Sequence, residues 1–154
     1  GYGTDKAIFG YGSASGPTNT TVTNKVSNVG VVDADVTNAG TTARNRLAAA
    51  GYGYDKAIFG YGTTSSSGSA TSRTAVTNLV SNTGVVATDT TGVGTARTTL
   101  AAAGYGGDKA IFGYGINPSL VSMTNLVSNT GVVATDTTGV GTARYGLAAA
   151  SYAI

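Results

Sequence analysis

The residues that could do chemistry in this sequence are few, and their types narrow the chemistry at once. Among 154 residues there is no Cys, His, Trp, Glu or Gln. Disulfide frameworks, Cys/His zinc sites, thiol nucleophiles and His-based triads are excluded together. General acid–base work would fall to Asp, Lys or Tyr, and it needs a tuned carboxylate pair or an equivalent. The carboxylates are seven Asp residues, and three of them, Asp5, Asp55 and Asp108, stand at the same place in a repeated string. A residue copied in this way, between a Gly-rich turn and a strand, suits a turn former that caps its own backbone. The adjacent Lys6, Lys56 and Lys109 are expected to face solvent or pair locally, which contributes little at a surface. Asp33 and Asp35 form a D-x-D pair, but two carboxylates without further oxygen ligands make a poor calcium site. Gly1-Tyr-Gly3 and Gly92-Val-Gly94 lack the following helix that gives a phosphate loop its aligned amides. Arg44, Arg97 and Arg144 recur in one context and are expected to pair with loop carbonyls or with the repeated Asp. The expectation is a non-enzymatic chain with no cofactor and no metal.

Bulk charge removes further classes. The net charge is +2 and only 10% of residues are charged, so the pI of 8.9 rests on two charges and the absence of His. Lys and Arg are spread singly, without the clustered basic face that nucleic-acid binding requires. The longest apolar run is about six residues, far short of a spanning helix, so no membrane partner is expected either. A chain that begins at Gly1 rather than Met reads as processed or as cut from something longer. Nothing assigns a compartment.

The elements that position these residues come in three copies. Asp-Lys-Ala-Ile-Phe-Gly-Tyr-Gly occurs at 5–12, 55–62 and 108–115, Thr-Ala-Arg at 42–44, 95–97 and 142–144, and Leu-Ala-Ala-Ala at 47–50, 100–103 and 147–150. Residues 77–97 and 124–144 are identical over 21 positions, and 23–44 is a diverged version. Such near-identity marks recent duplication or deliberate design, and internal self-similarity sets the organisation. The units run over 1–46, 47–99 and 100–146 of a single repeat domain, 1–154, with 147–154 as a closing innermost strand.

Within a unit the pattern predicts four short strands: Leu100–Gly106, Lys109–Tyr114, Met123–Ser128 and Val132–Thr137, with an Asn-Thr-Gly turn at 129–131. The 24 Gly and the many Thr, Ser, Asn and Val disfavour helix. Four strands in about 50 residues, repeated, predict an all-β propeller of four-stranded blades, three blades per chain. The Ala triplets suit strands crowded at a central channel. Ile8, Phe9, Ile58, Phe59, Ile111 and Phe112 are expected to pack between blades, each contributing roughly 1.5–3 kcal/mol when buried.

The order Arg144-x-x-Leu147-Ala-Ala-Ala, then Gly-Tyr-Gly and Asp-Lys-Ala-Ile-Phe-Gly-Tyr-Gly, resembles the Kelch repeat over the whole chain. It departs from that pattern in having Gly-Tyr-Gly for the glycine pair, and Val31, Val85 or Val132 where a Trp is usual. It also resembles the glycine-rich propeller repeat of the chromosome-condensation regulator family. Copies this nearly identical are similar, too, to repeats of virus-associated and environmental proteins.

The units are offset from the ends: strands two to four come first, and an innermost strand comes last. This offset, with fewer blades than a propeller normally has, predicts a homodimer closing head to tail into a six-bladed ring. The alternative is a β-trefoil or β-prism closed by three units in one chain.

The copies differ most at 13–22, 63–76 and 116–123, between strands two and three, and at the short patches 45–46, 98–99 and 145–146. Variable loops on a fixed scaffold are how many binding proteins place function. Tyr54, Arg73, Asn117, Tyr145 and Arg46 are the candidate ligand-binding residues, for a protein or glycan ligand. The alternative is a purely structural, self-assembling repeat with no ligand.

Overall fold

The computed structural model describes residues 1–152; the last two positions of the expected closing strand, 153 and 154, lie outside the described residues. The chain is all-β, with one short 3-10 turn at Ala70–Ser72. The first unit contributes β1 (Ala7–Gly10), β2 (Val22–Val26) and β3 (Val36–Thr37), paired in that order. The second contributes β4 (Ala48–Tyr52), β5 (Lys56–Gly60) and β6 (Thr77–Val80), again in order. The third contributes β7 (Ala101–Tyr105), β8 (Lys109–Gly113) and, past a small hairpin of β9 (Ile116–Asn117) and β10 (Ser119–Leu120), β11 (Thr124–Val127). All pairing is antiparallel, and the register repeats: Ala49 faces Phe59 and Ala102 faces Phe112.

The fold is therefore three antiparallel three-stranded sheets. The fourth strand expected over Val132–Thr137 reduces to two isolated bridges, Val127 with Val133 and Thr124 with Thr137, and the second unit has the same two, Val80 with Val86 and Thr77 with Thr90. A side chain explains the gap between them. Asn78 Nδ2 donates to Ala87 O at 3.1 Å and to Asp89 Oδ1 at 2.9 Å, and Asn125 does the same to Ala134 O and Asp136. The amide takes one backbone carbonyl, Ala87 O or Ala134 O, that a neighbouring strand would otherwise use, and ties in a carboxylate beside it, so the outer segment bows around it.

The Asn-Thr-Gly turn forms as the sequence predicts. Gly131 has φ +84°, its N–H donates to Ser128 O at 3.0 Å, and Ser128 Oγ accepts from the Val132 N–H at 3.0 Å. In this left-handed conformation a Cβ is disfavoured, which accounts for glycine here. β4 lies against β7 and β8, so the small-residue strands stack side by side. One core surrounds Ile58, Tyr61, Leu100 and Phe112, and a second surrounds Tyr2, Tyr11, Phe59 and Val80.

Phe59 and Phe112 pack against the neighbouring unit, at 4% and 0% exposed, but Phe9, expected to pack likewise, is 64% exposed and is not core. Phe59 is covered because it lies over Gly10 and Tyr11 of the unit before it, and Phe112 because it lies over Gly60 and Tyr61. Among the described residues nothing packs over Phe9 in this way. Among the described residues no helix is long and apolar enough to cross a membrane.

Candidate functional site: the unit junctions and the loop face

The most highly built part of the molecule is the junction between units, and it is made twice. At the first junction Arg44 is fully buried, with Nε donating to Tyr61 O at 2.9 Å, Nη1 to Thr42 O at 3.1 Å and Nη2 to Asn78 Oδ1 at 2.6 Å. Its guanidinium lies 4.4 Å from the centre of the Tyr11 ring. At the second, Arg97 is fully buried, bonded to Tyr114 O at 2.8 Å and Thr95 O at 3.2 Å, and 4.4 Å over Tyr61. The planar five-donor fork of arginine, weakly hydrated and able to stack on a ring, fits this site where an ammonium would not.

The tyrosines serve both units. Tyr11, Tyr61 and Tyr114 all have φ near +63 to +65°. That left-handed backbone is costly for a residue with a Cβ, on the order of 1 kcal/mol. It turns the ring onto the arginine of its own unit, while the Tyr61 and Tyr114 carbonyls meet the arginine of the unit before.

A carboxylate completes each junction. Asp89 accepts from the backbone N–H of Thr42 at 3.1 Å and from its hydroxyl, and stands 4.0 Å from Arg44. Asp136 accepts from the Thr95 N–H at 3.0 Å and its hydroxyl, and stands 4.0 Å from Arg97. Partial burial works against ionising Asp89, but the Thr42 and Asn78 hydrogen bonds and Arg44 outweigh it and hold the carboxyl below its usual range. Asp136 is held low in the same way by Thr95, Asn125 and Arg97. Burial lowers the pKa of Arg44 and Arg97 and raises those of the Tyr11 and Tyr61 phenols.

The expected arginine pairing with loop carbonyls is present. The carboxylate at each junction, however, is Asp89 or Asp136 rather than the repeated Asp5, Asp55 and Asp108. Those three pair with the next residue instead: Lys6 at 2.8 Å, Lys56 at 2.6 Å and Lys109 at 2.6 Å. Asp35 accepts from Asn24 at 2.7 Å. Among the described residues no three acidic side chains converge as a metal site would require.

The candidate ligand residues separate into two ends of the sheets. Antiparallel strands put the β4–β5 turn at one end and the β5–β6 loop at the other. Tyr54, 76% exposed, sits in the β4–β5 turn, beside a shallow cavity that Gly1, Gly104 and Ser151 also line. Arg46, Arg73, Asn117 and Tyr145 lie at the opposite end with the variable loops. There, Arg46 Nη2 donates to Ser66 O at 3.2 Å and Arg73 Nη1 to Asn117 Oδ1 at 3.1 Å. Asn19, reaching 3.3 Å to Thr63 O, ties the first loop to the second. Tyr145 is exposed and stands apart from these bonds.

Sequence reasoning did not anticipate Asn78, Asn125, Asp89 or Asp136. Repetition offers no signal for them, because all four lie inside the 21-residue identity, where no position distinguishes a junction residue from a turn. A scan against protein-family models finds no match for this chain, and a search of curated proteins finds no similar sequence.

Proposed function

We propose that the chain is a non-enzymatic scaffold of propeller blades, two copies of which make a six-bladed ring that presents one rim of variable loops to a glycan. The observation that carries the reading is the loop face. Three loops that differ between otherwise near-identical units are tied to one another by Asn19, Arg46, Arg73 and Asn117. A surface joined across units can hold one ligand at several points, and its hydroxyl and amide groups suit a polyhydroxylated ligand. The blade reading is supported by the stacked small-residue strands, where a Cβ on Gly104 would lie 3.5 Å from Gly51 O and one on Gly51 would lie 3.6 Å from Gly1 O. Strand backbones of successive units thus lie close together at their Gly positions, as the small-residue strands of a propeller channel would.

The test is a panel of immobilised glycans probed with the chain and with two variants. Arg73→Ala/Asn117→Ala should weaken binding by about tenfold, the equivalent of 1.4 kcal/mol. Tyr54→Ala, at the other end of the sheets, should leave it unchanged. A panel with no bound glycan, or equal loss in both variants, contradicts the reading.

A further inference from the structure

Every element of the unit junction is present a third time, divided between the two outer faces of the molecule. Phe59 packs edge-on to Tyr11 with ring centres 5.2 Å apart, and Phe112 to Tyr61 at 5.1 Å. A Cβ on Gly10 would lie 2.9 Å from Phe59, and one on Gly60 would lie 2.7 Å from Phe112. At Gly113 the same test meets only Thr124, at 3.4 Å. The place an incoming Phe would take is an apolar groove lined by Ala102, Gly113, Tyr114, Thr124 and Leu147. The Phe that matches it, Phe9, stands exposed on the opposite face.

The polar parts divide in the same way. Arg144 lies 4.2 Å over Tyr114, as Arg44 lies over Tyr11, but it is exposed, and its one hydrogen bond goes to Thr142 O. Both of its counterparts reach the next unit's Tyr carbonyl and Asp, and Arg44 reaches its Asn as well. On the first unit the equivalent groups, Tyr11 O, Asn24 and Asp35, have no arginine beside them among the described residues. Tyr2 and Tyr52 are buried against the turns at Gly84 and Gly131, whereas Tyr105 is exposed and a Cβ on Gly30 would meet nothing within 4 Å. Ala148–Ala150 are exposed and unpaired, at the positions by which Ala48–Ala50 pair with Gly60, Phe59 and Ile58.

We infer that the two outer faces bind each other: the first unit of a second copy docks on the third unit of the first by the junction already made twice within the chain. Phe9 of the second copy fills the groove over Gly113 and Tyr114. Arg144 reaches its Tyr11 carbonyl and Asn24, and Thr142 donates to its Asp35. Ala148–Ala150 pair along its β1, in the register Ala148 with Gly10 and Ala150 with Ile8. Charge matches, since the exposed arginine faces the acidic Asp35. The contact is heterologous, so it repeats until the ring closes. This inference adds residues to the ring of the preceding reading and rests on it only for the number of copies.

Complementation separates the contact from the ring. Arg144→Glu breaks the third-unit face alone, and Phe9→Asp breaks the first-unit face alone; both positions are exposed. Asp35→Lys serves as a second first-unit variant should Phe9→Asp fail to fold. Each variant alone should run at 15.1 kDa by light scattering. Their equimolar mixture should form one intact contact and run at twice that mass. A mixture that stays at 15.1 kDa, or a single variant that keeps the mass of the unaltered chain, overturns the inference. An unaltered chain that forms a ladder of sizes while the mixture still pairs supports the contact and contradicts the closed ring.

Discussion

Arg44 Nη2 donates to Asn78 Oδ1 across 2.6 Å, joining the end of one repeat to the last strand of the next repeat's sheet, β6, 34 residues on. The bond matters because the same asparagine also holds Ala87 O and Asp89. One side chain thus links the outer segment of its own unit to the arginine of the unit before. Unit-to-unit order and order within the unit depend on the same atoms, as expected of repeats that contact only their neighbours.

The arginines should differ sharply although the sequence around them is shared. Arg44→Ala or Arg97→Ala removes a buried cation from carbonyl and carboxylate partners, and in Arg44 from the Asn78 amide too, and should cost about 3 kcal/mol, in the range for breaking a buried pair. Arg144→Ala, measured at dilution, should change stability by less than about 0.5 kcal/mol, as an exposed substitution does. Urea unfolding of the three variants checks the contrast.

The phenylalanines follow the same order. Phe59→Ala and Phe112→Ala empty a packed site and should cost about 3–5 kcal/mol. Gly60→Ala forces a Cβ against Phe112 and should cost about 1–3 kcal/mol. Phe9→Ala and Gly113→Ala, at open faces, should leave the unfolding of the single chain nearly unchanged and weaken association instead. Thermal unfolding and sedimentation on the same samples read the two effects separately.

Acid should loosen the junctions. Asp89 and Asp136 have folded-state pKa values below their unfolded values of about 3.9, so the folded state holds fewer protons in that range. Their contribution is complete at neutral pH and is lost as pH falls below about 4 toward the folded-state values. The three Asp–Lys pairs, which run from exposed at Asp5 to largely buried at Asp108, add a similar slope that salt screens in part. Unfolding free energy followed from pH 7 to acid in raised salt should therefore fall less steeply for Asp89→Asn/Asp136→Asn than for the unaltered chain.

How much of this could be read from residue types alone follows from what repetition reveals. Self-similarity placed the units, and alternation with turn chemistry placed β5, β8 and the Gly131 turn within a residue or two. The outer strand was over-read because Val132–Thr137 has strand composition. A buried amide, Asn125, takes part of its ladder, and that displacement leaves no mark in composition. The burial of Phe59 against the exposure of Phe9 is invisible in identical strings, because it depends on which unit stands alongside. Tyr54 and Arg73 looked equivalent as exposed, variable positions; only strand direction puts them at opposite ends. Asn78 and Asp89 went unnoticed because an identical copy carries no contrast between a residue that joins units and one that merely turns the chain.

The most direct test of the account is the absolute mass of the unaltered chain in solution at micromolar concentration. Complementary faces closing on a second copy predict a single species of twice 15.1 kDa. A lone chain of 15.1 kDa, with Phe9 and Arg144 still in solvent, would contradict it.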